Sequence, residues 1–243
     1  MIELIIVGVI VGALSGFFGV GGGTVLVPIL LLLGYDTKVA IGISVIQMLF
    51  SSIFGSYLNQ KKGTLDTSMV LFIGAGGFVG GLCSGFLTSA FENKTLEFIF
   101  LGFAVFALLR LFAKTKEHKD EKKVHKLLLF IIGVPLGAFS MIIGVGGSII
   151  LVPILVGFFH VPLKKAISAG LFFVVFSSIS GFISHSINGS LDLASGATIG
   201  LASLLGVYGG IMLKDAVGAK LQKNLLVGFY ILVVLYLAKR VFL

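Results

Sequence analysis

Two short glycine clusters hold the strongest chemical signal in this sequence. The first reads Gly19-Val20-Gly21-Gly22-Gly23-Thr24, followed by Pro28. The second reads Gly144-Val145-Gly146-Gly147-Ser148, followed by Pro153. Consecutive glycines weaken a helix, and proline removes a backbone donor and clashes with the preceding turn. Each cluster therefore predicts a structural helix break, with Pro28 and Pro153 contributing to it, and a new helix beginning at Thr24 or Ile149. A helix start points free N–H groups and the positive end of its dipole at whatever precedes it. Two such starts brought together would hold a small anion without any Lys or Arg, and neither cluster contains one. The candidate binding groups are Gly19, Gly21, Gly22, Gly23 and Thr24 with Gly144, Gly146, Gly147 and Ser148. A nucleotide-binding loop is excluded, because no Lys-Ser/Thr pair follows the glycines.

Other polar residues fall inside apolar stretches. Ser44, Gln47 and Ser51 share one helical face by their spacing of three and four. Ser51-Ser52 recurs as Ser177-Ser178. Facing the glycine breaks, Gln47 and these two pairs would supply oxyanion donors. The plainer reading of a membrane serine is a hydroxyl bonded to its own helix carbonyl. His185 lies near the end of an apolar run. An interfacial histidine is its simpler reading, and carriage of a coupling proton is the other. Asp66 and Asp192 read as helix caps. Glu97 reads as a first-turn carboxylate favoured by its helix dipole. No set of side chains resembles a metal site, and no cofactor is implied.

The elements that would position these groups follow from composition. The 243 residues are 57% hydrophobic and only 12% charged, with a mean hydropathy of +1.15. A soluble domain carries about 25% charged residues. Soluble enzymes, disordered tails and nucleic-acid binders are excluded, which leaves a polytopic membrane protein in a lipid bilayer. Met1–Leu4 lacks a basic segment, so no cleaved signal peptide is expected. The single cysteine, Cys83, excludes an internal disulfide and reads as inert packing. Eight uncharged runs are present, and two are too long for one straight span. Leu4–Tyr35 has 32 residues and Leu127–Phe159 has 33. As single helices they would extend about 48–50 Å, against a hydrocarbon core of about 30 Å. Both carry their glycine cluster near the middle. Gly8, Gly12 and Gly16, like Gly77, Gly81 and Gly85, read as close-packing faces.

The chain also repeats itself. Gly12–Leu30 laid over Gly137–Leu155 gives 12 identities in 19 positions. Gly63-Thr64-Leu65-Asp66 later falls on Gly189-Ser190-Leu191-Asp192. The sequence thus predicts an all-α transmembrane bundle of two homologous repeats, 1–113 and 127–243, around a polar linker, 114–126. Each repeat would hold a Gly-broken helix or re-entrant hairpin plus about three spans. If each long run enters and returns, the basic residues divide fourteen against four. The positive-inside rule then places the linker in the cytoplasm and both termini outside, with the repeats inverted. Inverted repeats with helices broken at the midplane are a recurring plan of secondary transporters.

The paired glycine clusters, each with its proline, and the His185-x-x-x-Gly189-x-x-Asp192 element resemble the TauE/SafE sulfite exporter (TSUP) family of permeases. The resemblance covers nearly the whole chain, and Ser148 departs from it where the first repeat has a third glycine. It implies a secondary carrier in a prokaryotic inner membrane, for sulfite, an organosulfonate or a related small anion. The residues alone specify only a small anion, so a carrier of carboxylates and a passive anion channel stay open. Coupling to protons and the oligomeric state, a homodimer included, are also left open. An enzyme would need paired carboxylates, a His–metal cluster or an activated nucleophile in the runs, and none appears.

Overall fold

The computed structural model describes residues 2–65, 67–112, 125–188 and 191–242. These residues are nearly all helical, and no strand occurs among them. The first repeat holds α1 (Ile2–Phe18), α2 (Gly23–Leu32), α3 (Thr37–Lys61), α4 (Thr67–Gly81), α5 (Ser84–Ala90) and α6 (Asn93–Phe112). The second holds α7 (Lys126–Ile142), α8 (Ser148–Gly157), α9 (Leu163–Ile187), α10 (Leu193–Ala216) and α11 (Ala219–Phe242). Among the described residues, five helices are long and apolar enough to cross a membrane: Thr37–Lys61, Val70–Ala90, Leu163–Ile187, Leu193–Ala216 and Lys220–Phe242. Each of the two long runs splits, as expected, into a 17-residue helix and a 10-residue helix.

Helix ends are set locally. Asp36 caps α3 by accepting from the Lys38 N–H at 2.9 Å. Asp192 caps α10 by accepting from the Ser195 N–H at 3.1 Å. The Ser195 bonds hold the Asp192 carboxyl below the usual carboxylate range. His125 caps α7 through Nδ1. Asp66, His118 and most of the linker, 113–124, lie outside the described residues. Within the spanning segment Val70–Ala90 a turn at Leu82-Cys83 separates α4 from α5, and Cys83 is exposed there rather than packed.

The tightest packing joins one repeat to the other. Gly8, Gly12 and Gly16 of α1 meet Ile199, Ser203 and Val207 of α10 in order. Gly133 and Gly137 of α7 meet Ile73 and Gly77 of α4 in order. Backbone touches backbone at these positions, where lipid gives helices no hydrophobic drive to associate and close packing has to supply it. Ile46 and Phe50 of α3 meet Gly196 and Gly200 of α10, so those two helices run in the same sense. The central pair behaves differently. Val45 of α3 lies against Gly181 of α9, and Gly55 against Leu171, so α3 and α9 run in opposite senses.

Polar groups gather at the two ends of the bundle. At one end, Lys62 pairs with Asp215, Lys214 donates to Asn59 Oδ1 at 2.9 Å, and Thr64 and Ser168 share a 3.0 Å bond. Gln222 donates there to the Phe17 carbonyl. At the other end, Glu97 accepts from Thr37 Oγ1 at 2.6 Å and from Arg240 Nε at 3.0 Å. Arg240 also reaches the Leu31 carbonyl, the last turn of α2, at 3.3 Å. Glu97 is thus a buried clasp between α3, α6 and α11 rather than a carboxylate held only by its own helix.

Candidate functional site

Both glycine clusters are true chain breaks, and their backbone angles explain the residue type. Gly19, Gly21 and Gly22 have φ of 70, 75 and 80°, and Gly144, Gly146 and Gly147 have φ of 68, 80 and 70°. An L side chain at such angles is strained by contact between Cβ and the backbone. The new helices start at Gly23 and Ser148, each one residue earlier than the sequence suggested. Pro28 and Pro153 do not form the breaks. Each sits inside its short helix, which continues through it. The ring's fixed φ suits a helix, and the lost donor costs one bond, to the Thr24 or Ile149 carbonyl, in the second turn. The unwinding is done by the glycines alone.

The two breaks meet in the interior. A methyl group built on Gly23 would press on the Gly144 carbonyl, and would lie 2.8 Å from Ser44 Oγ and 2.9 Å from Met48 Sδ. Ser44 Oγ donates to that same Gly144 carbonyl at 2.8 Å, so α3 of the first repeat ties down the break of the second. The exchange is reciprocal in position. Gly19 lies beside Ile167 of α9 and Gly144 beside Ile41 of α3. Gly21 lies beside Val174, and Gly146 beside both Val174 and Met48. Residues 15–28 and 140–149 are all buried, so the site is enclosed in this conformation.

Three polar side chains at this meeting point have no hydrogen-bond partner: Thr24 Oγ1, Ser148 Oγ and both amide atoms of Gln47. All three residues are at most 1% exposed. A buried polar group without a partner costs roughly 1–3 kcal/mol, and four such atoms in one place are an unusual concentration. Gln47 sits directly over the first break, where a methyl on Gly22 would be 2.8 Å from Nε2. Gly147, at the second break, is flanked instead by Ser140 Oγ and Phe173. Neither short helix has a side-chain cap, so their first N–H groups also look into this space. The arrangement offers donors and two positive dipole ends to a small ligand with acceptor oxygens.

The remaining predicted residues are placed less directly. Ser51 and Ser52 donate to the Met48 and Leu49 carbonyls of their own helix, at 3.4 and 3.5 Å. Ser177 and Ser178 do the same toward Val174 and Val175. All four are buried, but none bonds to a glycine break. His185 is fully buried rather than interfacial, with Nε2 3.4 Å from the Met141 carbonyl at the end of α7. Among the described residues, no group of three His, Cys, Asp or Glu side chains is placed to hold a metal. A pocket of about 440 Å³ lined by Asn93, Lys94, Glu97 and Arg240 opens at the far ends of α6 and α11, away from the breaks.

Sequence reasoning missed one buried charge away from the breaks, at the end of the bundle. Lys214, one of the basic residues counted to the linker side when the charges were divided, lies within α10 and is fully buried against Asn59. The signal available was the repeat itself, which lays Asn59 of α3 over His185 of α9, a buried polar residue at the matching position near the end of each long central helix.

Comparisons with known proteins identify the family. The sulfite exporter TauE/SafE family model matches residues 4–237. The chain is 26% identical to the probable membrane transporter protein YunE of Bacillus subtilis, over 92% of this chain and 90% of that one. It is 32% identical to the probable membrane transporter protein MJ0441 of Methanocaldococcus jannaschii, over 75% of this chain and 71% of that one. A third relative, the probable membrane transporter protein YdhB of Bacillus subtilis, is 24% identical over 85% of this chain. No solved structure matches the chain. With its spanning helices and buried glycine breaks, this integral membrane protein belongs to the TauE/SafE family of membrane transporters.

Proposed function

We propose that the protein is a secondary carrier of small anions of the sulfite and organosulfonate class, binding them between the two glycine breaks and working by alternating access. The observation that carries this reading is the set of orphaned, fully buried polar atoms of Thr24, Ser148 and Gln47 at two facing helix starts. A sulfite or sulfonate presents several acceptor oxygens and one or two negative charges, which convergent N–H groups, hydroxyls and an amide suit. The enclosure of both breaks favours a carrier over an open channel, because a channel needs a continuous wet path. In this reading His185 carries the coupling proton, close to the end of α7 and its break.

The repeats in this proposal are inverted, with both termini outside and the linker in the cytoplasm. The helix senses support it. α1, α3 and α10 share one sense while α3 and α9 oppose each other, so a chain that leaves α1 must double back through α2 before starting α3. The end clusters support it too. Lys62 with Asp215, and Arg240 with Glu97, lie on common sides only if each long run returns to its side of origin. A cysteine placed at Lys119, in a chain whose Cys83 has been changed to serine, is expected to resist an impermeant thiol reagent in intact cells and to react after lysis. Labelling in intact cells would overturn the orientation.

The carrier itself is tested by uptake of radiolabelled sulfite into proteoliposomes, with and without an imposed pH gradient. Saturable uptake, competed by sulfur oxyanions and not by acetate, is expected. Gln47→Leu keeps the volume and removes the amide, and should lower uptake at least about tenfold, equivalent to about 1.4 kcal/mol of binding. Acetate competing as well as sulfite would move the substrate class to carboxylates, and unsaturable flux would favour a channel.

A further inference from the structure

We propose that Lys214 and Asn59 form a second binding site for a small anion, at the end of the bundle where α3 and α10 finish. The assignment rests on the anion-carrier reading above. Lys214 is 0% exposed, so its ammonium does not reach water at the helix end as a terminal lysine ordinarily would. Its hydrogen bond goes to a neutral acceptor, Asn59 Oδ1, at 2.9 Å. The charged neighbours are Asp215, Lys62 and Lys164. The one carboxylate among them, Asp215, is already paired with Lys62 at the partly exposed rim. Among the described residues, the buried ammonium is therefore left without a buried counter-ion, and an unpaired buried charge is costly.

The surrounding groups show what would complete it. Asn59 has turned its oxygen to the lysine, which leaves Nδ2 buried and without a partner. Ser56 lies one turn earlier on the same face of α3, and its hydroxyl is also buried and unpartnered. The surplus is an ammonium with donors to spare, an amide N–H pair and a hydroxyl. That set suits an anion and repels a cation. Asn59 follows Gln47 by twelve residues on α3, which is about 18 Å along the helix. The two stations are thus separate, and a ligand at one does not exclude a ligand at the other.

Equilibrium dialysis of the purified full-length protein against radiolabelled sulfite tests this directly. The expected result is two sulfite ions bound per wild-type chain and one per chain in Lys214→Met. Asn59→Asp is a second route that keeps the lysine satisfied: the new carboxylate pairs with Lys214 and displaces the anion, again leaving one. Gly22→Val removes the site at the breaks and should also leave one. Two ions in a folded Lys214→Met and Asn59→Asp would overturn the second site, as would one ion in wild type that persists in both variants. Two ions in Gly22→Val would instead overturn the reading of the breaks. No binding by the wild type would overturn both.

Discussion

Gly22→Val should abolish sulfite uptake while leaving the protein inserted and monodisperse, and Gly147→Val should do the same. Two costs act together at each position. The φ angles of 80 and 70° carry a penalty of about 1–2 kcal/mol for an L residue, and β-branching makes it worse. The added carbons then take the space in front of the helix start. At Gly22 they push the Gln47 amide away, and at Gly147 they meet Ser140 Oγ and Phe173 at 2.8 Å. These neighbours are side chains that can shift, so the fold survives while the arrangement of donors does not. Uptake should fall at least about 100-fold, equivalent to about 2.8 kcal/mol of binding. Proteoliposome flux, with size-exclusion chromatography as the check on folding, measures it. Folded Gly22→Val with wild-type uptake would remove the breaks from the binding site.

The second large effect is on assembly and not on transport. Gly12→Val and Gly137→Val should prevent recovery of folded protein. A methyl on Gly12 would strike the Ser203 carbonyl and lie 2.8 Å from the Ser203 Cα, and one on Gly137 would lie 2.6 Å from the Gly77 Cα. Backbone cannot rotate away as a side chain can. The helices have to separate, and the contact is lost along their whole length. The cost should exceed the roughly 1–3 kcal/mol of ordinary overpacking, against a total stability of about 5–15 kcal/mol. The same change at Gly102 or Gly228, where nothing lies within 4 Å, is the control and should be silent. Equal yields of folded Gly12→Val and Gly228→Val would contradict the packing argument.

These contrasts show what the sequence made legible. The glycine clusters were readable because consecutive glycines have few uses inside a membrane, and the duplication drew attention to them. The packing faces at Gly8, Gly12 and Gly16 were readable from their spacing of four. Gln47 was readable because it shares one helical face with Ser44 and Ser51 inside an apolar run. The prolines were over-read, because the break and the proline lie so close that sequence alone cannot divide the work between them. The serine pairs satisfy themselves within their own helices, as membrane serines commonly do. Lys214 and Glu97 were misjudged for a different reason. Their partners Asn59 and Arg240 lie 155 and 143 residues away, and nothing local marks them. Helices that are apolar on every side give no stripe to say which face turns inward, so a buried lysine near a helix end looks the same as a solvated one.

The crosswise packing has a consequence for biosynthesis. α1 is complete by residue 18, but α10, the helix it lies along, does not begin until residue 193. At about 5–20 residues per second, a ribosome needs roughly 9–35 s to make the intervening chain. During that interval α1 sits in the membrane with its glycine face unpaired. α4 waits as well, until α7 arrives. A stop codon after the first half would therefore leave helices with no partner, which a quality-control protease should remove. Supplying the second half from a separate message should rescue it.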